Sequence, residues 1–251
     1  MSGNRQLQTT DEESLRPQEL FNEQWKVYQK LLNENFMKHR DIYNILHNFL
    51  VNYFPQAFKM LDLGCGDASF TAQALLNTNI AAYKGVDLST QALEIAKENM
   101  GTIPCESTFI QGDFSQLDSE LITPHIQEDK YDVILISFAL HHFQLEQKED
   151  FISQLKHLLK SGGVFILIDV FRREEEDRET YLTRYRDNLA KYCSTLTAQD
   201  YSMIENHISS CDFPETQQTL YEISQKQGFN KFECLYRDDN FDASRLLCIY
   251  K

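Results

Sequence analysis

Apolar positions recur along this chain with two different periods, and the switch between them predicts its architecture. From about Leu20, Phe21, Trp25, Tyr28 and Leu32 fall three or four residues apart, and Ile42, Leu46, Phe49 and Leu50 keep that spacing as far as Pro55. Two helices are therefore predicted before residue 58. Beyond them, short β-rich runs at 58–63, 82–87, 107–112, 131–136 and 164–169 alternate with helical stretches. One of these starts behind Ser89 as N-cap and ends near Gly101; another covers 147–160 and stops at Gly162 and Gly163. Strands alternating with helices predict a parallel sheet covered on both faces.

The pattern changes after Phe171. RREEEDRETYLTRYRDNLAKY puts Leu182, Tyr185, Leu189 and Tyr192 on one stripe, with Glu174 and Arg178 four apart on the solvated side. TAQDYSMIENHISS predicts a further helix with Met203, Ile204, His207 and Ile208 together, so residues 172–214 read as a helical insertion. A helix at about 216–226 follows, and KFECLY and SRLLCIYK, separated by RDDNFDA, predict a terminal β-hairpin. Residues 1–14 are polar and expected to be loose. With no internal repeat and no second core pattern, residues 1–251 are expected to form one domain, with helices over 15–55 preceding the first strand.

Composition narrows the function classes. Hydrophobic residues make up 42% of the chain, enough for a sizeable core. The formal net charge of −14 opposes a phosphate backbone over most of the surface, which disfavours nucleic acid as a partner. The N-terminus lacks an apolar core of signal-peptide length and no later run is long enough to span a bilayer, so a cytoplasmic protein without a membrane partner is expected. Cys65, Cys105, Cys193, Cys211, Cys234 and Cys248 form no CxxC pair and no His/Cys cluster at zinc spacing, so no metal is expected.

The stretch most informative about chemistry is MLDLGCGDASF, residues 60–70. A glycine-rich turn between strand and helix lets backbone approach a ligand closely. In a dinucleotide enzyme that ligand is a pyrophosphate, but here Ser69 stands where the third glycine of that pattern belongs and Asp67 lies beside the phosphate position, where two negative groups repel. Asp62, closing the strand, suits a ligand with an ammonium group and no phosphate. At this point the sequence resembles the class I S-adenosylmethionine-dependent methyltransferases, whose first motif is an acid, an apolar residue and Gly-x-Gly.

Further motifs follow in the order of that family. YKGVDLS ends in Asp87, 23 residues after Gly64; FIQGDF ends in Asp113 and Phe114; YDVILISFALHHF follows at the fourth strand. The resemblance implies a Rossmann-like α/β fold with a mostly parallel seven-stranded sheet and an antiparallel last strand, here extended by N-terminal helices and the helical cap insertion. It implies S-adenosylmethionine as cofactor, with Asp62, Gly64, Cys65 and Gly66 at its methionine end, Asp87 and Leu88 at the ribose, Asp113 and Phe114 at the adenine, and Ser137 near the methionine part. Tyr28 and Trp25 are candidates to shield the cofactor, although helical aromatics are commonly core, and Arg40 for its carboxylate or a solvated role. Ala68 departs from the family pattern, in place of a third glycine.

Methyl transfer from a sulfonium needs alignment and, for some acceptors, a base. Ser-Phe-Ala-Leu after the fourth strand lacks the Asn/Asp-Pro-Pro-aromatic signature of amide and base-nitrogen methylation, the Pro-Cys pair of cytosine methylation and the acid of magnesium-dependent catechol enzymes. ALHHF instead resembles the small-molecule branch of the family. His141 is a candidate base, Asp169 a second, with Arg172 as a possible partner of Asp169; adjacent His141 and His142 are not expected to share one face or chelate one metal. Tyr181, Tyr185, Tyr192 and His207 of the insertion are candidates for the acceptor pocket, Tyr185 and His207 foremost. A small-molecule methyltransferase leads. A protein or RNA methyltransferase, a catalytically silent partner subunit and a dinucleotide oxidoreductase stay open beside it, as do the acceptor and the oligomeric state.

Overall fold

A computed structural model describes residues 26–117, 130–239 and 241–251. A helix over residues 26–33 (α1) and α2 (His39–Tyr53) lead into β1 (Phe58–Leu63). Then come α3 (Ser69–Leu75), β2 (Ile80–Asp87), α4 (Thr90–Met100), β3 (Glu106–Gln111), β4 (Tyr131–Ser137), α5 (Leu145–Leu158) and β5 (Leu159–Val170). The chain continues through α6 (Arg178–Tyr192), α7 (Ala198–Cys211), α8 (Gln217–Lys226), β6 (Lys231–Arg237) and β7 (Ser244–Tyr250). The seven strands form one sheet in the order β3-β2-β1-β4-β5-β7-β6. β1 to β5 pair in parallel, and β7 runs antiparallel to both β5 and β6. This is the α/β architecture expected, including the reversed last strand.

Continuous apolar runs make the central strands because both sheet faces are covered. Alternate residues point to opposite faces, so Leu61, Ile134, Ile136, Phe165 and Leu167 enter one core with α5 and α8. Met60, Val133, Leu135, Val164 and Ile166 enter the other with α2, α3 and α4. The strand order reverses direction of winding between β1 and β4, and it is outside the carboxyl ends of strands at such a point that wound sheets hold ligands.

Several expectations need correcting. α5 ends at Leu158, and the two glycines lie inside β5, not after the helix: Leu159 already pairs with Tyr131, and Gly162, at φ +75°, makes an irregularity in the strand that leaves Val164 opposite Val133. Glu174 and Arg178 do not pair, because Glu174 precedes α6; Arg178 donates to the carbonyls of Asp212 and Ser209, and Glu174 accepts from the Gln218 backbone. Tyr192 is exposed, and the buried stripe of α6 is Tyr181, Leu182, Tyr185 and Leu189. The expectations for residues 1–14 and for Trp25 lie outside the described residues.

The insertion is a cap over the carboxyl edge of the sheet. Asp177 caps α6 by accepting from Thr180 N at 2.8 Å, and Thr197 and Asp200 form a reciprocal capping box on α7. Both helices pack on Val27 and Leu31 of α1, on Phe36 and Met37, and on Val170 at the end of β5. Lys30 Nζ reaches Asp200 Oδ2 at 2.6 Å, tying α1 to the cap. None of the described helices is long and apolar enough to cross a membrane.

Candidate active site

The turn after β1 is held from β2. Gly64 N and Cys65 N both donate to Val86 O, at 2.8 and 3.1 Å, and Gly66 N donates to Asp87 Oδ2 at 2.8 Å. Gly64 takes φ +75°, and a Cβ there would stand 3.1 Å from both Ala139 Cβ and Phe114 Cε1, so that position requires glycine twice over. Gly66 takes φ +53°, and the space where a Cβ would stand is open, so the turn can approach a ligand closely there. Ala68 is also left-handed, at φ +51°. That conformation costs an alanine roughly 1–2 kcal/mol, and burial of its methyl group returns about 0.8 kcal/mol. Burial thus recovers roughly half of the cost, which helps the turn keep alanine where the family pattern has glycine.

Asp62 lies beneath the turn and is 1% exposed. Its Oδ2 accepts Thr71 Oγ1 at 3.0 Å and Tyr83 OH at 2.9 Å, whereas the buried Oδ1 accepts no hydrogen bond among the described residues. Burial pushes its pKa up to about 7, against the opposing pull of the Tyr83 and Thr71 hydroxyls. An unpartnered buried carboxylate oxygen in a crevice fits a ligand's ammonium group. Asp87, at the next strand end, accepts Ser89 N through Oδ1 at 2.8 Å and is partly desolvated, which raises its pKa. Each of its oxygens keeps a further acceptor site for ribose hydroxyls.

The remaining expected cofactor residues fall along the same edge. Leu88 is 65% exposed beside Asp87, Asp113 caps the short turn Phe114–Gln116 by accepting Ser115 N, and the Phe114 ring packs on Phe143 and Phe151. Ser137 Oγ accepts Tyr43 OH at 2.8 Å. Tyr28, Tyr43, Asp62, Gly64, Cys65, Gly66 and Ser137 line one crevice. Arg40 stays outside it and donates to Asn33 O, the solvated alternative.

Sequence reasoning missed His39, which is 2% exposed, lies 3.2 Å from Tyr28 OH through Nε2, and packs on Phe138 and Phe70. Burial lowers its pKa to about 3, so it sits in the crevice wall as a neutral ring. No local motif marks it; only the folding of α2 against the β4 end brings it there.

A second cavity of about 250 Å³ lies between this crevice and the cap, bounded by Tyr28, Met37, Phe138, Tyr185, Ile204 and His207 among others. His141 opens onto it from the 3₁₀ turn Leu140–His142. Its Nδ1 stands 2.5 Å from Asp169 Oδ1, and its backbone N–H donates to Asp169 Oδ2 at 2.9 Å. The two candidate bases are therefore one unit. Burial alone would lower the His141 pKa, but the carboxylates of Asp169 and Asp212 outweigh it and raise the value above 6.5. Arg172 does not pair with Asp169; it binds Glu215 Oε2 at 3.2 Å and the Pro214 carbonyl.

The expectation that His141 and His142 diverge is also overturned. They lie on a 3₁₀ turn, not a strand, and their rings approach to 4.1 Å between centroids. With Asp212 they form a cluster, among the described residues, of the kind that can hold a metal ion. Tyr185 is buried, with its OH 3.9 Å from Met37 Sδ, while His207 is half exposed; both border the cavity, whereas Tyr181 is wholly buried and does not.

Fold and crevice together define a class I S-adenosylmethionine-dependent methyltransferase. Comparison with known proteins agrees: residues 60–163 match the family model described as methyltransferase domain. The carboxy-S-adenosyl-L-methionine synthase of Campylobacter jejuni is 21% identical over 223 residues, covering 86% of this chain and 88% of its own. An uncharacterised methyltransferase of Synechocystis sp. is 34% identical over 114 residues, 45% of this chain and 48% of its own. Among solved structures, the plantazolicin methyltransferase BamL, in complex with a triazolic desmethylPZN analog and SAH, superposes with a TM-score of 0.64 at 18% identity, covering 93% of each chain.

Proposed function

We propose that this enzyme methylates a neutral, largely apolar small molecule seated in the cavity beneath the cap. The observation that carries the proposal is the position of Tyr28, which borders both the crevice at the β1 turn and the 250 Å³ cavity, so that the two spaces are neighbours across one side chain. Among the described residues no arginine or lysine bounds the cavity, which disfavours strongly anionic acceptors, and the volume suits a compact molecule over a polymer. The net charge of −14 argues against RNA. The plantazolicin methyltransferase BamL shares the fold over nearly the whole length of the chain.

When bound, S-adenosylmethionine supplies a methyl group already activated on sulfur. In this reading Asp62 meets its ammonium, the Gly64–Gly66 turn its methionine backbone, Asp87 and Leu88 its ribose, and Asp113 and Phe114 its adenine. The chain's part in the transfer is then to orient the acceptor and take its proton. Asp169 accepts the His141 Nδ1–H, which leaves the Nε2 lone pair available to the acceptor; His141 is the base and Asp169 its positioning residue. Tyr185 and His207 form the cap side of the acceptor's site. The six unpaired cysteines fit a reducing cytoplasm.

Incubating the enzyme with methyl-labelled S-adenosylmethionine and a fractionated cell extract tests this. Label should enter the small-molecule fraction; label confined to protein or RNA would overturn the proposal. Mass spectrometry of the nucleoside fraction separates acceptor methylation from conversion of the cofactor itself, the chemistry named by the Campylobacter relative.

A further inference from the structure

Three imidazoles converge on one carboxylate oxygen at the inner wall of the acceptor cavity. Asp212 Oδ1 lies 3.6 Å from His141 Nε2, 3.5 Å from His142 Nδ1 and 3.7 Å from His207 Nε2. These separations exceed those of hydrogen bonds. Asp212 is 4% exposed, and its Oδ1 accepts no hydrogen bond among the described residues. A buried carboxylate oxygen left in this state is costly. As a hydrogen-bonded group the cluster is poorly made.

As a coordination shell it is well made. Around a tetrahedral ion with metal–nitrogen and metal–oxygen bonds of about 2.0–2.2 Å, neighbouring ligand atoms stand roughly 3.3–3.5 Å apart. The two edges from Asp212 Oδ1, 3.6 Å to His141 Nε2 and 3.5 Å to His142 Nδ1, lie within a few tenths of an ångström of that, and the ligand atoms all lie within 4.8 Å of one another. We infer that His141 Nε2, His142 Nδ1 and Asp212 Oδ1 bind a divalent transition-metal ion of the zinc class, with the fourth position turned to the cavity and flanked by His207.

The surroundings support the same assignment. Asp169 takes the Nδ1–H of His141, which fixes the tautomer whose Nε2 lone pair points to Asp212; a carboxylate behind a ligating histidine is the usual outer-shell arrangement at zinc. The second imidazole ligand is the His142 ring, which is partly buried against His141. Its Nδ1 lies 3.1 Å from the Cys211 carbonyl, and ion binding exchanges that hydrogen bond for the metal bond as the ring proton moves to Nε2. Two nitrogens and one oxygen suit zinc, cobalt or nickel over magnesium. Three protein ligands and an open position are the pattern of sites where a metal meets a reactant, whereas structural zinc sites are closed by four.

The site goes beyond the proton-acceptor role given to His141. That role belongs to the metal-free protein, since a bound ion occupies the same lone pair.

The test uses the full chain, stripped with a chelator and titrated with Zn²⁺ against a chromophoric competitor, then with Co²⁺ followed by visible absorption. One ion per chain is expected, with the intense visible bands of tetrahedral cobalt. Asp212→Asn, nearly isosteric, and His142→Gln, on a partly exposed side chain, should each weaken Zn²⁺ binding at least tenfold. Asp169→Asn should weaken it roughly 10–100-fold through His141, and the distant His157→Gln should leave it unchanged. S-adenosylhomocysteine affinity, measured on the same samples, reports that each variant is folded. Absence of stoichiometric uptake by the wild-type chain, or equal uptake by folded Asp212→Asn and His142→Gln, would overturn the site. A chain that methylates small molecules without taking up an ion loses only this inference; one that binds the ion but methylates none loses only the acceptor assignment.

Discussion

Asp87 Oδ2 accepts the backbone N–H of Gly66 at 2.8 Å, so the end of β2 holds the turn that follows β1. With Oδ1 on Ser89 N, one carboxylate braces two ligand-bearing loops. Asp87→Ala should weaken S-adenosylhomocysteine binding by roughly 1.5–3 kcal/mol, from hydrogen bonds to a charged acceptor. It should also lower the melting temperature, because two backbone amides lose their acceptor. Calorimetry and thermal unfolding of this variant check both, and an unchanged dissociation constant would place the ribose elsewhere.

Asp62 makes stability and cofactor binding depend on pH in opposite senses. Its folded pKa of about 7 lies above the ordinary 3.8, so between those values the folded chain holds a proton that the unfolded chain has released. The contribution to stability is full below about pH 3.8 and is lost as pH rises through about 7. Asp62→Asn should flatten that fall. Binding of an ammonium favours ionised Asp62, so S-adenosylhomocysteine affinity should drop roughly tenfold for each pH unit below 7. Equal dissociation constants at pH 6 and pH 8 would remove Asp62 from the site.

Gly85 is a close approach that no turn motif announces. A Cβ there would meet Cys65 Sγ at 2.9 Å and the Tyr83 ring at 3.1 Å. Gly85→Ala should cost about 1–3 kcal/mol by overpacking. Adding Cys65→Ala should recover part of that loss, and denaturant unfolding of the two single variants and the double variant measures the coupling. Additive losses would mean that the sulfur is not the obstruction.

Tyr185 and His207 separate packing from recognition. Tyr185 is 4% exposed among Phe36, Tyr181 and Phe241, so Tyr185→Ala should lose roughly 3–5 kcal/mol of stability. His207 is half exposed, and His207→Ala should change stability by less than about 0.5 kcal/mol. Its effect should fall on the acceptor's KM, with S-adenosylhomocysteine affinity within a few-fold of wild type. A parallel loss of cofactor affinity would contradict the position of the cap.

Legibility in the sequence followed how local the cause was. β1 and the start of α4 at Ser89 were readable because strand periodicity and capping act over a few residues. β5 was not, because the pairing of Leu159 with Tyr131 is a tertiary contact that carries the strand through Gly162 and Gly163. The acids at 62, 87 and 113 were found as strand ends, yet the Thr71 and Tyr83 hydroxyls on Asp62 come from two other elements. Asp212 was missed altogether: CDFPE reads as an ordinary helix end, and only the return of α7 over β4 brings it to the histidines. The Asp169–His141 contact escaped for the same reason, 28 residues apart in sequence.

Tyr28 stands between two ligand spaces on a helix bound to the cap through Lys30 and Asp200. Whatever factor an occupied crevice applies to acceptor affinity through this side chain, an occupied cavity must return to cofactor affinity, since the coupling free energy is one quantity shared by both. Filling either space therefore tightens or loosens the other by the same ratio, and the enzyme's retention of its spent cofactor is set in part by whether the methylated product still fills the cavity.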